Sequence, residues 1–372
     1  MSWLGFAAGL VVLAVAWASV VKTFLIPRGT ISALNNVVAA VVQGVFRLLT
    51  GRIRELADRE RVWAAGAPMF LLVLLGAWLV LLLAGFALVL WPFSSGFPAA
   101  LRESGSSLFT LGFARPDGVA ATAIDFAAAA SGLAVLALLI AYLPVLYNSF
   151  NRRETLVSML EALAGSPPWG PEILARNALI LNAATLPGLY AQWTEWAADI
   201  TESHVNYRTL IYFRSPDPMS SWLLSLLAVL DAAALHLALN PASAPPEARP
   251  LLRVGYLAMR RLAARLRLPV DDDPRPDGPL ELPRAKFDEA VEWLGEAGWA
   301  TERSAEEAWP HFRGWRVNYE SAAYQIARHL DLPPALWSGP RQPGRVSAIP
   351  PRRPNDRRPG PPPEDSANRQ RV

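Results

Sequence analysis

Between Val62 and Leu101 the chain carries no charged side chain, and Pro68 to Trp91 within that run is apolar almost throughout. A bilayer core is about 30 Å thick and takes roughly 20 apolar residues as a helix, so this stretch is long enough to cross one. A second uncharged run covers Phe126 to Asn151, and another, Trp3 to Val21, is closed by Lys22 and Arg28. Three spanning helices are expected, because backbone in lipid must satisfy its own hydrogen bonds and a helix does so locally. Ala16-Trp17-Ala18 has the form of a leader-cleavage site. No basic residue precedes the first run, however, and the run is longer than a usual leader core, so it reads as a retained anchor.

Basic residues near the ends of spans set orientation. Arg28, Arg47, Arg52, Arg54, Arg59 and Arg61 lie between the first two runs, and Arg152-Arg153 follow the last. Pro92 to Asp125 carries only Arg102 and Arg115 against Glu103, Asp117 and Asp125. The expected arrangement is a multi-pass membrane protein with the N-terminus outside, the C-terminal part cytoplasmic and membrane lipids as its surroundings.

Inside that outer segment, residues 104 to 114 read Ser-Gly-Ser-Ser-Leu-Phe-Thr-Leu-Gly-Phe-Ala. Non-helical backbone at membrane depth is tolerated only where it lines a cavity or is buried in protein, and an ion filter uses that exception. Its carbonyls replace an ion's hydration shell, and a glycine is needed where the backbone leaves ordinary dihedrals. Thr110 and Gly112 fit those roles.

The order helix, short helix, Thr-x-Gly-aromatic, helix resembles the pore domain of potassium channels, specifically the bacterial ion-channel and two-helix potassium-channel-like proteins. The resemblance covers residues 66 to 153 and includes Ile140-Ala-Tyr-Leu-Pro144-Val-Leu-Tyr147 and Asn151-Arg152-Arg153-Glu154. An added first helix and a cytosolic part with Trp193-Thr-Glu-Trp196, Glu202-Ser-His204 and Tyr212-Phe-Arg214-Ser215 are similar to that group as well. The resemblance implies a selectivity filter over Thr110, Leu111, Gly112, Phe113 and Ala114. Thr110 would give the innermost oxygens from hydroxyl and carbonyl, the next three their carbonyls, and Phe113 would pack behind. The permeating cation would be potassium, with no cofactor. Where the family continues Gly-Asp, this chain has Ala114-Arg115. A left-handed backbone at Ala114 would cost on the order of 1 kcal/mol, and Arg115 at the outer mouth would repel cations that an Asp would concentrate. One loop per chain makes the conducting form a homotetramer. Gly132 and Pro144 read either as a gating hinge and kink or as ordinary residues of a membrane helix.

The rest bounds the organisation. With 372 residues, 52% hydrophobic and a mean hydropathy of +0.21, the chain can hold a membrane part and one further domain. The expected fold is all-α, divided into an N-terminal spanning helix (1–29), an amphipathic cytoplasmic linker (30–66), a pore domain (67–150, with a re-entrant loop at 100–116), a cytosolic helical domain (151–338) and a disordered tail (339–372). The tail holds nine prolines and no periodic apolar positions. In the cytosolic part, 3.6-residue spacing predicts helices over 152–164, 172–190, 192–203, 220–239, 247–267, 286–298 and 315–329. Asp231 and His236 fall inside Ser221 to Leu239, which reads as a buried bundle helix rather than a fourth span.

Several functions find no support. There is no cysteine, which excludes disulfides and thiolate chemistry. No phosphate loop, nucleophile elbow or His-Glu-x-x-His occurs, so no catalytic residue is assigned and the chain does not read as an enzyme. Glu195, Asp199 and Glu202 share a helical face near His204; they read as solvated or Arg-paired, with Arg208 or Arg214 as partners, and no metal site is assigned. The pI of about 9.4 owes much to the Arg-rich tail, and nucleic acid is not an expected partner. Two functions follow: a tetrameric cation-conducting pore with a cytosolic regulatory domain, or a non-conducting sensor, scaffold or regulatory subunit that keeps the pore fold.

Overall fold

The first apolar run forms α1 (Ser2–Phe24) and the longest uncharged run forms α4 (Gly66–Leu90). A computed structural model describes residues 1–26, 32–114, 118–180 and 185–339; Arg115 and nearly all of the expected tail lie outside the described residues. α1 and α4 pack antiparallel through paired glycines. A Cβ on Gly9 would sit 2.7 Å from the Gly85 carbonyl oxygen, and one on Gly85 would sit 2.7 Å from Leu13, so a side chain at either position would force the helices apart.

Polar groups at one level fix their depth. Trp78, fully buried in α4, donates from Nε1 to Ser19 Oγ at 3.0 Å, and Ser32 Oγ donates to the same oxygen at 2.9 Å. Asn35 Nδ2 donates to Thr23 Oγ1 at 2.9 Å. Ser32 and Asn35 open α2 (Ala33–Thr50), which packs Val38, Val42 and Phe46 with Leu74 and Trp78 of α4 in one apolar cluster. α2 is followed by the short α3 (Leu56–Ala64), and the Phe46 ring stacks on Trp63 at 5.8 Å. The expected amphipathic linker thus contains a helix that also presents Val37, Val41, Val45 and Leu48 outward.

After α4, a turn leads into α5 (Phe97–Leu108), begun with Pro98 in its first turn, where a missing N–H is harmless. Ser104 Oγ donates to the Leu83 carbonyl of α4 at 3.0 Å. On its other side α5 meets α6 (Val119–Ala164), which runs unbroken for 46 residues. At 1.5 Å per residue α6 is about 69 Å long, more than twice the roughly 30 Å of a bilayer core. The sequence reading separated an inner helix from an interface helix near Asn151. They are one helix because nothing between Val145 and Ala164 is a glycine or proline that would break it.

The remaining helices are α7 (Gly170–Ile180), α8 (Leu186–Asn206), α9 (Trp222–Leu239), α10 (Ala248–Arg265), α11 (Arg284–Glu296), α12 (Ala305–Arg316) and α13 (Glu320–His329). Every residue of α9 is buried; α7, α8, α10, α12, α13 and the end of α6 pack around it, and α11 packs against α7 and α12. The charge inside α9 is matched: Asp231 Oδ1 lies 2.5 Å from Arg316 Nη1 and accepts from Tyr319 Oη at 2.8 Å. Among the described residues the chain is all-helical, without a strand. Among the described residues five helical stretches are long and apolar enough to cross a membrane, and of these α9 alone is wholly enclosed by protein.

Candidate functional site

The site begins with the last turn of α5, Gly105-Ser106-Ser107-Leu108, whose small residues let the chain fold back over the helix end. The Ser106 carbonyl accepts from Leu111 N at 2.7 Å and Gly112 N at 3.4 Å, and Ser106 Oγ accepts from Ala114 N at 3.0 Å. Thr110 N donates to the Ser107 carbonyl at 3.0 Å. Ser106 is therefore the post around which residues 109–114 wrap.

Two residues of the wrap are left-handed: Thr110 with φ 54° and Gly112 with φ 71°. Glycine adopts this region freely, but for a β-branched residue it is a genuine outlier, with a strain on the order of 1–3 kcal/mol. The left-handed cost expected at Ala114 falls instead on Thr110. Thr110 Oγ1 turns back to donate to the Phe109 carbonyl at 2.8 Å. Among the described residues, the carbonyls of Thr110, Leu111, Gly112 and Phe113 accept no hydrogen bond. Phe109, Leu111 and Phe113 are exposed on the single chain, Leu111 by 63% and Phe113 by 59%.

Three residues behind the wrap were not singled out as site residues from sequence. Ser106 is one. Asp125, buried in α6, takes a hydrogen bond from Ser107, and its Oδ1 has no partner. Leu108 is the third, because its carbonyl meets α6 at Gly132: a Cβ there would be 2.1 Å from the Leu108 oxygen. Gly132 therefore carries a close backbone approach between α5 and α6. Pro144 lies about three turns further along the same helix, roughly 18 Å away, exposed on the outside of the chain. It is not brought to the wrap.

At the far end of α6 sits a group that charge counting treated only as a marker of orientation. Arg153 is 1% exposed. Its guanidinium donates to the carbonyls of Leu210 and Phe213 at 2.9 Å each, pairs with Glu154 at 2.7 Å, and meets His204 Nε2 at 3.1 Å. Because Arg can only donate, Nε2 is the acceptor and Nδ1–H faces Ser203 Oγ at 3.0 Å. Burial, and then Arg153, hold the His204 imidazole well below its ordinary range. The expected carboxylate face is used elsewhere: Asp199 pairs with Arg152 at 3.0 Å rather than with Arg208 or Arg214, and Glu202 accepts from Asn206.

No protein-family model, curated protein or solved structure matches the chain.

Proposed function

We propose that the chain is one subunit of a tetrameric, potassium-channel-like pore, with residues 109–114 as the ion-contacting loop. In this reading α1, α4 and α6 cross a bacterial plasma membrane with the N-terminus outside, α5 and the wrap form a re-entrant loop on the outer side, and α7–α13 are cytoplasmic. The observation that carries it is the run of four carbonyls without hydrogen bonds, held by a strained Thr110 and a left-handed Gly112. Backbone polar groups in a membrane protein are left unbonded only where something else meets them. A dehydrated cation is such a partner. The C-terminal end of α5 abuts the wrap, and its dipole favours positive charge there.

The exposed Leu111 and Phe113 fit the same reading. Apolar side chains beside an outward-facing loop are covered when symmetry mates close around an axis. A non-conducting subunit with the same fold is the second reading, and the replacement of the family's Gly-Asp by Ala114-Arg115 is what favours it. Potassium flux from proteoliposomes separates the two. The parent should pass potassium and Gly112→Ala should lose at least tenfold of the flux, since a side chain at φ 71° is strained. Flux that is absent in the parent, or equal in both, would replace the channel by the non-conducting subunit.

A further inference from the structure

Where the membrane-facing helices meet the cytosolic bundle, the structure holds a cleft of about 1100 Å³, counting its open mouth. Its walls are the end of α1, one face of α2, the start of α4, and the segment after α8 together with the ends of α10 and α13. Lys22, Arg47, Arg208 and Arg265 line it, and among the described residues no aspartate or glutamate does. Arg214 also lines it but is engaged, 3.3 Å from the Glu60 carboxylate. Lys22, Arg47 and Arg208 have no carboxylate within ion-pair distance among the described residues.

Two donors in the lining are buried and unsatisfied, Trp63 Nε1 and Arg208 Nε. The rest of the Arg208 guanidinium is positioned by Asn36 Oδ1 at 3.1 Å and Tyr212 Oη at 3.4 Å. Part of the lining is apolar, with Ile26, Val42 and Phe70. Burial, then Arg208 and Arg47, keep the neighbouring His329 imidazole below its ordinary range, as a positive field would. Unpaired cations and orphan donors beside an apolar wall are complementary to an anion that carries a hydrocarbon part.

We propose that this cleft binds the phosphate of an anionic phospholipid from the cytoplasmic leaflet, with Arg47 and Arg208 as its charged contacts and α2 and α4 taking the acyl chain. Arg47 stands on a membrane-side helix and Arg208 on the bundle, so one headgroup bridges the two parts. The apolar wall favours a lipid over free phosphate, which would leave that wall uncovered. The inference rests on the membrane placement proposed above and not on conduction; lipid binding and potassium flux are read separately and fail separately.

The test uses the full chain in a neutral detergent, with thermal unfolding followed while dioleoyl phosphatidylglycerol, dioleoyl phosphatidylcholine or inorganic phosphate is titrated. Phosphatidylglycerol should raise the unfolding temperature saturably and the other two should not. At about fivefold per basic residue near a headgroup, Arg47→Gln/Arg208→Gln should weaken the phosphatidylglycerol effect roughly 25-fold. Arg275→Gln/Lys286→Gln removes as much charge from the far surface and should leave it unchanged. Arg47→Gln alone, at an exposed position, should weaken it about fivefold and keeps the test if the double variant is poorly folded. Equal responses to phosphatidylcholine, saturation by inorganic phosphate alone, or loss in the control variant equal to that in the cleft variants would each overturn the proposal.

Discussion

Two glycines separate backbone necessity from convenience. A Cβ on Gly132 would press into the Leu108 carbonyl at 2.1 Å, whereas one on Gly44 of α2 would meet nothing within 4 Å. A carbonyl at a helix end cannot swing aside as a side chain can. Gly132→Ala should therefore destabilise by about 1–3 kcal/mol, the usual cost of overpacking, while Gly44→Ala should gain up to about 1 kcal/mol from helix propensity. Thermal unfolding in detergent checks the pair. A further residue-scale effect is electrostatic. His236 packs within 3.3 Å of Tyr190 Oη and against Trp299, and burial lowers its pKa to about 4. Between about 6.5 and about 4 the unfolded chain binds the proton that the folded one refuses, so this group costs stability as the pH falls through that window. His236→Gln should flatten the acid limb of the stability profile relative to the parent. Parallel acid limbs would show that the imidazole is not the group responsible.

At the scale of elements, α12 shows what local rules reveal. Ser304 accepts from Glu307 N and the Glu307 carboxylate reaches back to Ser304 N, a closed capping box. The Ser-x-x-Glu spacing is visible in the sequence, yet 3.6-residue spacing alone placed a single helix at 315–329 and missed 305–316. Pro310 inside α12 obscures the pattern, since it lies past the first turn and removes an i→i−4 hydrogen bond there. Ser304→Ala should cost about 1 kcal/mol, measured on the unfolding of the α7–α13 bundle, and Glu307→Gln should cost less because the amide keeps the acceptor. The uninterrupted apolar runs made α1, α4 and α9 legible, since stretches of that length are helical by size and a helix satisfies its backbone groups within the segment. The continuity of α6 past Asn151 was not legible. Asn151-Arg152-Arg153-Glu154 reads as the end of a span by charge, but charge marks where lipid stops, not where a helix stops. Nor does composition reveal that Arg153 turns inward to bind Leu210 and Phe213, because the pairing spans about sixty residues and depends on the bundle being built.

For the whole molecule, the wrap at 106–114 illustrates how far sequence reaches. Thr110, Leu111, Gly112, Phe113 and Ala114 stand out in the sequence as a proposed filter by type and order alone, while Ser106, Asp125 and the Leu108–Gly132 contact are visible only with α5 set between α4 and α6. Among the described residues Leu111 and Phe113 are exposed and four carbonyls of the wrap accept no hydrogen bond, and the proposed tetramer would cover them. The claim on which the account turns is thus that four copies share these loops. Native mass spectrometry of the detergent-solubilised protein tests it most directly: the account predicts a dominant species at four times the 40.5 kDa chain mass, and a stable monomer or dimer with no tetramer at any detergent or lipid ratio would contradict it.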